Sequence, residues 1–137
     1  MTDEPARRAW QAMRTLVLDR HDRRAEISAQ FGMSYIRIKT VNLLAQGPLT
    51  MKDLAGRLAV DAPYTTVVVD DLEVRGLVER QPDPVDRRRK IVAITAAGRK
   101  LSRQAVKMAS EPPAEVAALS PADLAHLDRI MGLLLSD

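Results

Sequence analysis

A mainly α fold with a small β-hairpin is predicted for this 137-residue chain by three features. First, two short amphipathic helices follow one another between Gly47 and Gly76, each introduced by a capping residue. Second, across residues 77–94 the helical period gives way to short β-rich runs, separated by a segment rich in proline and aspartate. Third, Arg87, Arg88, Arg89 and Lys90 place four cations in a row at or near the hairpin tip. Helix, turn, helix, hairpin, helix is the order of a winged helix-turn-helix. Cations on a thin protrusion suit the phosphate-lined groove of DNA.

Each element has a local reason. Ala6, Trp10, Met13 and Val17 recur at spacings of four, three and four, one apolar stripe on a helix running from about Pro5 to Asp22. Gly32 and Ser34 mark a new start, and the next helix turns Ile38, Val41 and Leu44/Ala45 inward before Gln46-Gly47-Pro48. Thr50 caps a short helix carrying Met51, Leu54, Ala55 and Leu58, with Asp53 at the third position. Asp61 caps the following helix, Pro63 fits its first turn, Val68, Val69 and Leu72 face inward, and Gly76 ends it. The β-branched run from Thr65 to Val69 also fits a buried strand; the cap, the stop and Asp70-Asp71-Leu72-Glu73 favour helix. Leu77–Arg80 and Lys90–Ile94 read as strands around a turn holding Pro82, Asp83, Pro84 and Asp86. Thr95 caps a helix to about Ser110, which Pro112-Pro113 breaks. Ser120, Pro121 and Asp123 open a last helix in which Leu124, Leu127, Met131 and Leu134 form a heptad-like seam. The apolar surface of the terminal helices exceeds what a small winged domain needs. They read as a dimer interface, the alternative being that they pack on their own domain. The expected organisation is one domain over residues 1–137, with a winged core over 34–100 and dimerisation helices over 1–33 and 101–137.

Composition narrows the function classes. Apolar residues make up 46% and charged residues 28%, so a globular chain is expected rather than a disordered one. The net charge is only +3, so position matters more than total. Residues 1–60 hold ten Lys/Arg against six Asp/Glu, and the segment from Leu101 holds three against five. Arg outnumbers Lys, which reflects either phosphate and guanine recognition or a general compositional bias. With no cysteine, disulfides, zinc–thiolate sites and thiol redox sensing are excluded. No leader-like or membrane-length apolar run is visible, so a cytoplasmic location is expected, with no membrane partner. His21 and His126 have no ligand-spaced partner, the Ser and Thr residues serve as caps, and no glycine-rich phosphate loop occurs. Neither an enzyme, a metal site nor a cofactor is expected.

The pattern Leu49-Thr50 … Leu54-Ala55 … Leu58 … Leu72-Glu73 … Gly76-Leu77-Val78 … Arg80 … Asp86-Arg87-Arg88 … Ile94-Thr95 … Gly98 resembles the MarR family of bacterial transcriptional regulators. The most specific part is the Asp-Arg-Arg of the wing followed by a strand and Ile-Thr-x-x-Gly. The resemblance implies a homodimeric regulator, most often a repressor, that binds a pseudo-palindromic double-stranded DNA operator. The helix from Asp61 to Arg75 would enter the major groove. Arg88 would enter the minor groove with Asp86 holding its guanidinium, reading groove width more than base identity. Relatives usually carry an arginine at the position of Val67, and often a basic residue at that of Asp71. Here Asp70 and Asp71 would oppose phosphate, so phosphate contacts fall to Arg57, Arg75, Arg80, Arg87, Arg88 and Arg89, beside Thr50. Base contacts fall to Pro63, Tyr64, Thr66 and Val67, through hydroxyls or thymine methyls and without a bidentate guanine reader. The other reading is a winged protein-interaction module that has lost DNA binding. Many relatives also bind a small aromatic or phenolic anion. By position Trp10, Met13, Phe31, Met33 and Tyr35 would line that cleft with Arg14 or His21 as anchor, or else form plain core.

Overall fold

The structure is a computed structural model describing residues 3–137. Met1 and Thr2, counted in the first terminal segment, lie outside the described residues. The chain begins with α1 (Asp3–Arg14), which has acids in its first turn and Arg14 in its last, as the helix dipole favours. It continues as a π-helical stretch, Thr15–Arg20. The expected single helix to Asp22 therefore ends at Arg20, and its wider last turns rotate Val17 and Leu18 relative to the α1 stripe. Asp22 then accepts the Ala25 N–H (3.1 Å) and starts α2 (Arg23–Phe31), which Gly32 ends in the left-handed region at φ 64°. Sequence periodicity missed α2 because only Ile27 on it is fully buried.

The core is built on α3 (Tyr35–Leu44), with Ile38, Val41 and Leu44 inward as expected, joined by Thr40. Thr40 is satisfied by donating its hydroxyl to the Ile36 carbonyl at 2.7 Å. A strand of two residues, β1 (Leu49–Thr50), leads into α4 (Met51–Leu58), where the Thr50 hydroxyl accepts the Asp53 N–H at 3.1 Å. Asp61 caps α5 (Ala62–Val74) by accepting the Tyr64 N–H at 2.8 Å. The β-branched run is helical: Thr65, Val68, Val69 and Leu72 recur at helical spacing and are buried together. Thr65 fits inside because its hydroxyl donates to the Asp61 carbonyl at 2.8 Å.

Gly76, at φ 75°, turns the chain into β2 (Val78–Pro82), which pairs antiparallel with β3 (Lys90–Ile94) from Val78↔Ile94 to Pro82↔Lys90. β2 thus runs two residues past Arg80, its proline at the open end. β1 adds to the other edge of β3, giving the order β1-β3-β2. Thr95 caps α6 (Ala96–Ser110) through the Gly98 N–H at 3.1 Å. A short α7 (Ala114–Ala117) follows Pro113, and Ser120 caps α8 (Pro121–Leu135) through the Asp123 N–H.

Ile27, Met33, Ile38, Val41, Leu44, Leu54, Leu58, Val68, Val69, Leu72, Val92 and Ala105 close one apolar core. It draws on α2 and α6, so the boundaries expected at 33/34 and 100/101 both cut packed structure: α2 and the whole of α6 belong with the winged core. In contrast, no residue of α1 or α8 is buried among the described residues.

Candidate nucleic-acid interface

The buried positions of α5 fix its outward stripe. Pro63, Thr66, Val67, Asp70 and Val74 lie on it at helical spacing, with Tyr64 beside them, and all are exposed. The Thr66 hydroxyl donates to the Ala62 carbonyl at 3.1 Å. Arg57 is exposed near the end of α4. Thr50 is half-buried, its hydroxyl engaged as the α4 cap.

The acids of α5 are not unpaired. Asp71 Oδ2 accepts from both Arg37 Nε and Arg75 Nε at 2.8 Å. Hydrogen bonds from Arg75 and then Arg37 hold the Asp71 carboxyl below the usual carboxylate range. Arg80 spans Asp70, at 2.7 Å, and Glu73. The expectation that Asp70 and Asp71 confront phosphate as bare charges is therefore corrected: three acids meet three arginines, and this half of α5 is close to neutral. Arg75 and Arg80, expected as phosphate ligands, are tethered by the same pairs. Sequence reasoning missed Arg37. The Asp71–Arg75 spacing of four was readable as a helical ion pair, but Arg37 reaches Asp71 from another helix.

The wing tip is a set of local hydrogen bonds. The Asp83 N–H donates to the Arg89 carbonyl (3.0 Å) and the Arg89 N–H to the Asp86 carbonyl (2.9 Å). Asp83 Oδ1 accepts the Val85 N–H at 2.9 Å. Asp86 Oδ1 accepts both the Arg88 N–H (3.1 Å) and Arg88 Nε (3.2 Å), with Arg89 Nε 3.7 Å from the other oxygen. Those Arg88 contacts hold the Asp86 carboxyl below its ordinary value. The Arg88 side chain is nonetheless 92% exposed. Its Nε is tied to the tip while the rest of the guanidinium faces outward. Among the described residues, Lys52, Arg57, Arg87 and Lys90 have no acid within ion-pair distance. Thr50, Met51, Lys52 and Asp53 of β1 and α4 face Arg89 and Lys90 across one concavity, so the α4 N-terminus and the wing base form a continuous surface.

The residues expected around a small ligand are dispersed in the single chain. Trp10 and Arg14 are exposed and Met13 half-buried on α1, Met33 is buried in the core, and Phe31 and Tyr35 pack against that core. The Arg24 guanidinium lies 5.0 Å from the Tyr35 ring centre. A surface cavity of about 300 Å³ beside Tyr35 is lined by Arg24, Ile36, Lys39 and Leu58, none of them among the other expected residues. His21 ends the π-helical stretch and is not within a helix. Its Nε2 bonds Glu115 at 2.5 Å, which occupies the expected anchor and lowers the Glu115 pKa. The seam residues Leu124, Leu127 and Leu134 are exposed and Met131 half-buried, and Ile130, Leu133 and Leu135 widen the apolar surface beyond the seam. No helix among the described residues is long and apolar enough to cross a membrane.

Comparisons with known proteins agree with this geometry. The MarR family model matches residues 41–90, from α3 to the first residue of β3. An uncharacterized HTH-type transcriptional regulator, YcgE of Bacillus subtilis (strain 168), is 32% identical over 75 residues, 54% of this chain and 49% of that protein. The match thus spans about half the length of this curated relative. Among solved structures, a point mutant of Staphylococcus aureus MepR superposes with a TM-score of 0.80 at 23% identity, over 91% of this chain and 94% of the other. A second MepR mutant, bound to an oligodeoxyribonucleotide, gives 0.75 at 22% identity, over 93% and 95%. The MarR family match thus covers the capped α4–α5 pair and the Asp-Arg-Arg wing, and the solved structures share the fold over nearly the whole chain.

Proposed function

We propose that this protein is a homodimeric, DNA-binding transcriptional regulator, acting as a repressor, and not an enzyme. The observation that carries the reading is the wing tip, where Asp86 ties Arg88 while leaving that side chain 92% exposed. A long side chain fixed at one nitrogen and open at the others loses less rotamer freedom on entering a narrow minor groove. The exposed stripe of α5 would lie in the adjacent major groove, with Lys52, Arg57, Arg87, Arg89 and Lys90 against phosphate. MepR, similar in fold, has been solved with an oligodeoxyribonucleotide. The bare apolar faces of α1 and α8 supply the surface for a second copy. Two copies related by a two-fold axis would bind pseudo-palindromic half-sites about one helical turn apart.

The test is fluorescence anisotropy with the DNA upstream of the protein's own gene, against a random duplex, between 50 and 200 mM salt. Preference for the upstream DNA is expected, with affinity falling steeply as salt rises, because phosphate contacts release counterions. A flat salt response with no preference over random DNA supports the protein-interaction module instead.

A further inference from the structure

The outward surface of α5 is chemically unusual for a helix that reads bases. Its thirteen residues, APYTTVVVDDLEV, contain no Asn, Gln, Arg or Lys. The side chains that recognise guanine or adenine with two hydrogen bonds are therefore absent from the helix itself. Three arginines next to it are also held back from base edges. Arg37 and Arg75 are drawn to Asp71, and Arg80 is drawn between Asp70 and Glu73. Asp70, the one acid on the outward stripe, is engaged by Arg80 at 2.7 Å and so is not free to accept from a cytosine amine. At the N-terminal end of the stripe remain the Pro63 ring, the Tyr64 side chain, the Thr66 methyl and the two methyls of Val67. The Thr66 hydroxyl is spent as a donor on the Ala62 carbonyl. Val67 is 54% exposed on a helix whose other central valines, Val68 and Val69, are fully buried, so no packing demand within the chain accounts for an apolar residue there.

We infer that α5 reads thymine C5-methyl groups in the major groove, with Val67 and Thr66 as the specificity-determining contacts and Tyr64 beside them. The C5-methyl is the one apolar feature that separates a base pair from its reverse in that groove, and apolar side chains are its partners. The inference rests on the DNA-binding reading and deepens it: the half-sites bound most tightly carry thymines opposite the first two turns of α5. The ion pairs of Asp70, Asp71 and Glu73 support this specificity, since they hold three guanidiniums away from guanine edges.

The experiment begins with duplexes enriched from a random library by the full-length protein. Each half-site thymine is then replaced in turn by deoxyuridine, which removes the methyl and keeps the Watson–Crick pair. At one or two positions per half-site, affinity should fall about fourfold for each lost methyl, the usual effect of one buried methyl-sized group. Val67→Ala, an exposed substitution that leaves the core untouched, should weaken binding to the thymine duplex. On the duplex with uracil at the contacted position it should cause little further loss, because the two changes remove the two sides of one contact. Specific binding that ignores every deoxyuridine substitution overturns the methyl readout and leaves the DNA-binding function standing. Equal losses for Val67→Ala on both duplexes likewise overturn the assignment to Val67. Failure to enrich any duplex overturns the DNA-binding reading itself, and the methyl readout with it.

Discussion

Gly98 is the position where the structure makes the sharpest stability prediction. It follows the cap Thr95 by three residues, and its N–H donates to the Thr95 hydroxyl at 3.1 Å. The same hydroxyl donates to the Gly76 carbonyl at 2.7 Å, and the Thr95 N–H donates to the Leu77 carbonyl at 3.1 Å. These bonds press the start of α6 onto the start of β2. A Cβ added at Gly98 would lie 2.2 Å from the Leu77 carbonyl oxygen and 2.7 Å from Ile94 Cγ1. The first of these is a backbone atom already fixed by Thr95, so it cannot swing aside. Overpacking by a methyl costs about 1–3 kcal/mol, and a rigid backbone neighbour places Gly98→Ala at about 3. The better helix propensity of alanine offsets about 1 kcal/mol. The net loss is about 2 kcal/mol, and an unfolding entropy of roughly 2.1 cal/mol/K per residue over the chain converts it to a drop of about 7 °C in Tm. Thermal unfolding followed by circular dichroism, at one protein concentration, reads this directly. Gly56→Ala is the control: it lies in α4, its added Cβ meets nothing within 4 Å, and it should stabilise by about 0.5–1 kcal/mol. A Gly98→Ala protein with unchanged or raised Tm, beside a normally behaving control, would refute the close-approach account of the Ile-Thr-x-x-Gly pattern.

Four further outcomes are expected. Arg88→Ala should weaken operator binding by about 1–3 kcal/mol in anisotropy titrations, and Asp86→Ala should act in the same direction but less, since it positions the arginine; unchanged binding in Arg88→Ala with loss in Arg87→Ala would move the minor-groove role along the wing. Asp71→Asn should lower thermal stability by releasing Arg37 and Arg75, and the freed cations should steepen the salt dependence of DNA binding. The folded-state pKa values of Asp71 and Asp86 are depressed, so their stabilisation is complete above the ordinary carboxylate pKa of about 3.9 and is lost as pH falls through the lowered values. Urea midpoints should thus be insensitive to these two acids at neutral pH and fall only in strong acid, and Asp71→Asn should remove part of that acid dependence. Sedimentation should give twice the chain mass of 15.2 kDa for the wild type, and Leu127→Asp combined with Met131→Asp should give monomer or unfolded protein; a well-folded wild-type monomer would contradict the α1–α8 interface.

Local chemistry made much of the fold readable in advance. Thr50, Asp61, Thr95 and Ser120 each accept the N–H of the residue three positions on, so the start of each helix is written within four residues. The hairpin was legible for the same reason: its turn residues bond one another, and Asp86 reaches an arginine only two positions away. β1 was not, because two residues carry no period and their pairing to β3 exists only once the chain has folded back across more than forty residues. α2 was hidden because a single fully buried residue makes no stripe. The charge state of α5 was decided furthest from the sequence. Arg37 stands thirty-four positions from Asp71 and Arg80 ten from Asp70, so nothing local pairs them. Packing α3 and β2 against α5 brings those guanidiniums to the acids. A helix that looks hostile to phosphate as a string of residues becomes nearly neutral and outwardly apolar, because Coulomb attraction and hydrogen bonding act on distance in space and not along the chain.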